Sequence, residues 1–429
     1  MEEEKQVSNG YRAYVLCILV LVYTFNFIDR QIVGILAIPI KEDLGLTDTQ
    51  LGLMSGLAFA LLYTTLAIPI AMAADRMSRT WIMTGALVVW SGMTAVCGTA
   101  QNFWQLFFAR VGVGIGEAGG VAPAYSLISD FFPPNQRARA LSVYSFGIPI
   151  GSALGIVFGG IIATLVDWRF AFLVVGVAGI ILAPIFRLTV REPVRGAFDV
   201  GGSQSGAASL TEIMRVLVRK PSFWGLSLGA SFSSMMGYGL FFWLPSFFVR
   251  SFEVTLLNAS LVYGAILLVG GIAGTWLGGY LADRFGEKNR AAYARIPAFA
   301  FLAAVPFYLV GVLSPTLLIS VLVMVVPTAL GLAWLGPVIS AVQHLVPPNM
   351  RATASAIFLF VNNLIGIGVG TLAIGAISDG LQGRFGDESL RYAILAGTSF
   401  YIVAAVIFLL SARRLEQDWE GQATANSRA

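Results

Sequence analysis

Four ionisable side chains sit in surroundings that read as hydrocarbon: Asp29 and Arg30 in "NFIDRQIVG", and Arg110 and Glu117 in "RVGVGIGEAGG". On insertion scales a charge at the bilayer centre costs about 2.5–3.5 kcal/mol, so such residues face a water-filled cavity or a partner. Carboxylates beside arginines can do one kind of chemistry unaided. Exchanging partners changes how firmly a carboxylate holds a proton, so re-pairing can load or release one. Arg110 and Glu117 are seven residues apart, about two turns along one helix face. Asp29 and Arg30 differ by about 100° around their helix and do not face each other as one ion pair. Asp29 and Glu117 are therefore expected to titrate, with Arg30 and Arg110 as their partners and as anion contacts. Arg30 offers a planar fork of donors for such an anion. The competing reading is a fixed buried network that locks the helices together.

The elements that must position these charges are membrane helices. The 429 residues are 57% hydrophobic and 12% charged, against about 25% charged in soluble domains, and the mean hydropathy is +0.79. Apolar runs predict twelve spans near 12–38, 48–74, 80–99, 103–131, 138–165, 170–189, 222–250, 258–282, 292–312, 315–345, 351–378 and 390–412. The acidic start "MEEEKQVSNG" lacks the basic region of a cleaved signal, so the first span is expected to be retained. With both termini in the cytosol, 20 Lys/Arg fall on the cytosolic side and 5 outside, the bias the positive-inside rule requires. Cys17 and Cys97 lie inside apolar runs, so no disulfide framework or zinc site is expected. Basic residues scattered through short loops exclude a nucleic-acid role.

The chain reads as two halves. Residues 1–189 form one predicted bundle of six helices and 222–415 a second. Between them, 190–221 is a linker with the Gly/Ser-rich "GAFDVGGSQSGAAS" and the basic amphipathic "LTEIMRVLVRK"; 416–429 is a cytosolic tail. "AMAADRMSR" recurs as "GYLADRFGEK", placing Asp75 and Asp283 208 residues apart, and "PPNQRARA" recurs as "PPNMRATA" at an offset of 214. Duplicated membrane halves are the mark of a secondary transporter that rocks two bundles about a central site.

"GGYLADRFGEKNR" resembles the loop signature of the major facilitator superfamily, and "RVGVGIG" a second of its signatures. The first copy of the loop signature departs from it at Ala71 and Ser78 but keeps Asp75, Arg76 and Arg79. More narrowly, "NFIDR", "RVGVGIGEA…APAYSLISDFF", "IPIGSALG" and "DWRFAF" resemble the Spinster family, whose members move sphingosine-1-phosphate or lysophospholipids and which has bacterial homologues. The resemblance implies an all-α membrane protein of two six-helix bundles with pseudo-two-fold symmetry. In that fold the first and fourth helices line the central cavity. It also implies a cytosolic gate at Asp75, Arg76, Arg79, Arg137, Arg139, Asp283, Arg284, Lys288 and Arg351, closing that side in the outward-facing state.

An acyl tail needs an apolar lining, and "SMMGYGLFFWLPSFF" supplies Met236, Tyr238, Phe241, Phe242 and Trp243. Asn362 and Asn363 are polar at mid-span and reach either the cavity or a neighbouring helix. Gly147, Gly151, Gly155 and Gly159 make a smooth face for close packing, with Pro149 allowing a bend. His344, the lone histidine, is expected to pack near a loop rather than relay protons. No nucleophile–base pair, metal cluster or phosphate-binding loop is evident, so neither an enzyme nor an ATP-driven pump is expected. The expected protein is a monomeric, proton-driven transporter of a lipid-like amphiphile, contacting protons and membrane lipids, without other cofactors or metal. The alternative is a proton symporter of small organic anions such as sugar acids or carboxylates. Short loops suggest a bacterial inner membrane.

Overall fold

Small polar residues ahead of apolar runs start helices here as capping chemistry requires. Ser8 accepts from the Tyr11 N–H, Ser78 from Trp81, Asn102 from Gln105 and Asp167 from Phe170, while Thr47 and Gln50 form a reciprocal capping box. The structure, a computed structural model, describes residues 8–74, 76–195, 210–286, 289–347 and 350–419. It gives no side-chain description at seven further positions, among them Asp283. The gate expectations at Asp75 and Lys288 and for the Asp283 side chain lie outside the described residues.

Among the described residues the chain is helical, without strands. The first half holds α1 (Asn9–Ile35), α2 (Ala37–Leu44), α3 (Asp48–Ser55), α4 (Leu57–Ala74), α5 (Arg79–Cys97), α6 (Phe103–Glu117), α7 (Val121–Phe131), α8 (Pro134–Ser145), α9 (Gly147–Leu165) and α10 (Trp168–Thr189). The second holds α11 (Leu210–Val218), α12 (Pro221–Phe252), α13 (Leu256–Gly286), α14 (Ala292–Leu313), α15 (Leu317–Leu332), α16 (Leu335–His344), α17 (Arg351–Phe385), α18 (Ser389–Ala412) and α19 (Leu415–Asp418).

Eleven stretches of the described residues are long and apolar enough to cross a membrane. The last, Thr353–Ala412, is 60 residues long. It contains both α17 and α18, separated by a single turn of 3-10 helix at Gly386–Glu388. Several spans are interrupted: the predicted helix 103–131 is two helices, α6 and α7, joined through Ala118, Gly119 and Gly120. The span over 138–165 breaks at Phe146, between α8 and α9. Pro149 sits in the first turn of α9, where its missing N–H is tolerated.

The chain forms two compact units, one of 1–46 with 58–202 and one of 47–57 with 203–429. In the first, α9 lies along α1 on its glycine face. A Cβ on Gly155 would stand 2.7 Å from the Ile28 carbonyl oxygen and one on Gly147 2.9 Å from Tyr23 Cβ, while at Gly151 it would collide with the Thr24 carbonyl. α5 packs between α6 and α10. In the second unit α12 packs on α17 and α18, and α14 on α15 and α18. α11 docks through buried Ile213 and Leu217, and the Trp224 indole N–H donates to the Leu217 carbonyl at 3.1 Å.

Candidate functional site: a buried charge network

The four intramembrane charges meet in the first unit as two crossed pairs. Arg30 Nε of α1 donates to Glu117 Oε2 of α6 at 2.6 Å, and Arg110 Nη1 of α6 donates to Asp29 Oδ1 of α1 at 3.3 Å. Asp29, Arg110 and Glu117 are 1%, 2% and 0% exposed and the Arg30 side chain 14%, so the Arg110–Asp29 pair is shut off from water and the other meets it only through Arg30. The crossing follows from helix geometry, because adjacent residues on α1 point apart and each finds its own partner on the single face of α6. The pairs differ in kind. Arg30–Glu117 is a short, charge-assisted bond, whereas Arg110–Asp29 sits at the long limit of hydrogen bonding. Asp29 makes up the difference with Thr94 of α5, whose hydroxyl lies 2.6 Å from Oδ2.

Glycines bring these helices close enough. A Cβ on Gly114 would stand 2.7 Å from the Phe59 carbonyl oxygen of α4, and one on Gly116 2.7 Å from Trp90 Cβ of α5. α6 thereby carries Arg110 and Glu117 into a wall of aromatic rings. The Arg30 guanidinium carbon lies over Tyr63, Phe59 and Phe27 at 4.6, 5.0 and 5.2 Å, and that of Arg110 over Phe59 at 5.7 Å. Such contacts are worth up to about 2 kcal/mol when desolvated. Glu117 closes α6 as its last residue, where the helix end is itself negative, so Arg30 supplies the compensating charge. Its second oxygen, Oε1, is buried without a hydrogen-bond partner among the described residues.

The sequence matches the family model described as Major Facilitator Superfamily over residues 19–371. The chain belongs to the Major Facilitator Superfamily. It is 34% identical over 404 residues to an MFS-type efflux pump of Mycolicibacterium smegmatis, covering 94% of this chain and 92% of that one. It is 29% identical over 397 residues to protein spinster homolog 1 of Homo sapiens, covering 88% and 75% respectively. Its structure is similar to the crystal structure of a bacterial homologue of the human lysosomal transporter Spinster, inward-facing and unoccupied. The TM-score is 0.90 at 34% identity, over 96% of this chain and 99% of the other. The inward-facing, occupied form of such a homologue gives a TM-score of 0.84. This superfamily member is thus a multi-pass membrane protein whose relatives are transporters and an efflux pump, not enzymes.

Of the expected gate residues whose side chains are described, Arg79 is the buried one, at 1% exposure. Arg79 Nε donates to Glu192 Oε1 at 2.7 Å, and Nη1 bonds Ser126 Oγ at 2.9 Å and the Asp130 carboxylate. Glu192 Oε2 in turn accepts from the Thr80 N–H at 2.9 Å and Ser78 Oγ at 2.8 Å, capping the start of α5. Asp130 and Glu192 are partners that sequence reasoning missed. Both stand at the end of an apolar segment, in "SDFF" and "VREP", and acids at span ends were the available signal. Arg137 donates to the Ser129 carbonyl at 2.8 Å and Arg284 to the Tyr280 hydroxyl at 2.7 Å, Arg351 is half-buried, and Arg76 and Arg139 are exposed.

Partial burial of Glu192 opposes its charge, but the Thr80 N–H, Arg79 and Ser78 outweigh it and hold the carboxyl down at about 2. A carboxyl whose folded value is depressed stabilises the fold above its unfolded value, near 4.5, and loses that contribution as pH falls towards 2. The expected result is a thermal midpoint that falls more steeply between about pH 5 and 3 in the native protein than in Glu192→Gln. Parallel slopes in a melting series would remove Glu192 from the account.

In the second unit Met236 is fully buried, its sulfur 3.2 Å from where a Cβ on Gly397 of α18 would stand. Phe242 is 5% exposed and packs edge-on against Trp243 at 4.7 Å. Met236 therefore packs towards α18, while Phe242 is buried beside its chain neighbour Trp243. Tyr238 is half-buried, tilted against Phe241 at 6.2 Å. Asn362 accepts from Ser234 Oγ of α12 at 2.9 Å and donates to Asn363 Oδ1 at 3.3 Å, an interhelical bond of the kind expected as the alternative to a cavity role. His344 stacks on Trp419 with centroids 4.9 Å apart.

Sequence reasoning also missed a buried polar cluster in this unit. Asp48, fully buried, takes Arg250 Nη1 and Nη2 at 2.7 Å each and Ser378 Oγ at 2.8 Å. Asp379 of α17 accepts from the Asp48 and Thr49 N–H groups at 3.1 and 2.7 Å, capping α3. The signal was weak, because Asp48 and Arg250 both stand at predicted span ends, where charge is ordinary.

Proposed function

We propose that this superfamily member is a secondary transporter of twelve spans in two pseudo-symmetric bundles, working by alternating access and driven by protons. Asp29 and Glu117 carry the proton, and Arg30 and Arg110 neutralise whichever carboxylate is ionised and contact an anionic group of the substrate. The crossed Arg30–Glu117 and Arg110–Asp29 pairs carry this reading. Two carboxylates and two arginines in a dry site balance at zero net charge. Adding a proton therefore leaves one arginine without an ionised partner and available to an anion.

The proposed cargo is a lipid-like amphiphile of the lysophospholipid class, a reading supported by similarity to Spinster homologues. The protein acts as a monomer in a bacterial inner membrane, with both termini in the cytosol. A second reading, proton symport of small organic anions, is supported by the burial of Met236 and Phe242, which leaves little of either side chain open to an acyl chain. Proteoliposomes separate the two. Labelled lysolipid is expected to redistribute faster under an imposed pH gradient and to lose that gain with a protonophore. Gradient-driven movement of a sugar acid instead would establish the second reading, and gradient-independent movement of both would end the coupling.

A further inference from the structure

A carboxyl that carries protons inside a membrane must be satisfied both with and without its proton, and the groups bonded to Asp29 are unequal to that task. Arg110, 3.3 Å from Oδ1, can only donate, so it offers no acceptor to the O–H of the protonated form. Arg30 is next to Asp29 on α1, and Glu117 of α6 and Cys97 of α5 lie within electrostatic reach. Thr94 differs from Arg110 because a hydroxyl both donates and accepts. Its Oγ1 stands 2.6 Å from Asp29 Oδ2 and 2.9 Å from the Trp90 carbonyl oxygen one turn back on α5. It carries one hydrogen, which can point to only one of them at a time.

We infer that Thr94 is a positioning residue for the proton step, a hydroxyl that turns between Asp29 and the Trp90 carbonyl as Asp29 changes its protonation state. With Asp29 ionised, Thr94 donates to Oδ2. With a proton on Oδ2, the carboxyl O–H donates to Thr94 Oγ1, and the threonine hydrogen swings to the Trp90 carbonyl. Thr94 gains and loses no proton; its O–H bond stays intact throughout, and the transferred proton belongs to Asp29 alone. Neither state then leaves a buried polar atom of this pair unsatisfied, which would otherwise cost more than the bond itself contributes.

The frame around the hydroxyl is rigid. Thr94 is branched at Cβ, which restricts its side-chain torsion, and it is 1% exposed. The Trp90 backbone that supplies the alternative acceptor is pressed against α6 at Gly116, where a Cβ would stand 2.7 Å from Trp90 Cβ. A threonine that bonds only the carbonyl one turn back is common inside helices. Here the same oxygen also lies within short hydrogen-bond range of a carboxylate on another helix.

This inference rests on the proposed proton role of Asp29, and one experiment tells the two apart. Infrared difference spectra of the full-length protein in detergent are recorded across pH, reading the carbonyl band of protonated carboxyls. The Asp29 contribution is identified by its loss in Asp29→Asn. Thr94→Ser, which keeps the hydroxyl, is expected to leave the titration midpoint of that band where it is. Thr94→Val and Thr94→Ala, read in parallel so that the result does not hang on one variant folding, are expected to move it towards higher pH by about one unit, a tenfold change in proton binding. The ionised form loses a charge-assisted donor, while the protonated form loses only a weaker neutral bond. An Asp29 band with the native midpoint in the valine or alanine variant overturns the role of Thr94 and leaves Asp29 untouched. Absence of any titrating Asp29 band in the native protein overturns both.

Discussion

Glutamine at Glu117 is expected to abolish gradient-driven accumulation and to leave a protein that still folds. The amide keeps the carboxylate's shape and an acceptor facing Arg30 Nε, where the native contact is 2.6 Å, but it can neither bind nor release a proton. A one-unit pH gradient is worth about 1.4 kcal/mol per coupled proton, enough for about tenfold accumulation. The native protein in proteoliposomes is expected to approach that ratio, and Glu117→Gln to show a ratio near one. Asp29→Asn is expected to lose the same dependence, since either carboxylate left unable to titrate stops the re-pairing. Alanine at Glu117 goes further, because it leaves the Arg30 guanidinium in its box of Phe27, Phe59 and Tyr63 with no countercharge from α6. Breaking a buried pair in this way costs about 3–5 kcal/mol, so that variant should be compared for stability rather than transport. If both the asparagine and the glutamine variant accumulate substrate as the native protein does, the network is a structural lock.

Alanine at Asp48 or at Arg250 should lower the melting temperature by on the order of 10 °C. Asp48 is fully buried and receives two guanidinium N–H groups at 2.7 Å, so removing either partner strands a charge with little access to water. The cost of about 3–5 kcal/mol converts to that shift at roughly 2–4 °C per kcal/mol for a unit of this size. The double variant should lose less than the sum of the singles, because the second truncation removes the charge that the first one stranded. Melting curves of the three variants settle it, and additive losses would mean that the two residues do not act as a pair.

What could be read from the sequence was set by how local the determining physics is. The apolar runs and the Asp-Arg loop repeats gave the helical class and the superfamily, since both depend on residues a few positions apart. The four intramembrane charges were legible for the same reason that they matter: hydrocarbon makes any charge conspicuous. Which arginine serves which carboxylate was not, because that depends on how Gly114 and Gly116 let α6 approach its neighbours. Thr94 was invisible as a lone hydroxyl in an apolar run, where threonine ordinarily satisfies itself on its own helix. The burial of Met236 and Phe242 was not legible, because sequence shows that a side chain is apolar and not which of two helix faces is already filled.

The turn between α17 and α18 bears on how the chain reaches the membrane at all. At about 1.5 Å per residue, the 60 residues of Thr353–Ala412 would stretch some three bilayer hydrocarbon thicknesses as one rod. The chain instead doubles back at Gly386, whose φ of +54° is one that side-chain-bearing residues rarely adopt. With only three residues between the two helices, they are expected to enter the bilayer as one hairpin. A bulky residue at Gly386 would therefore show itself first in biogenesis, as chain degraded before it matures, with the activity of each surviving molecule unchanged.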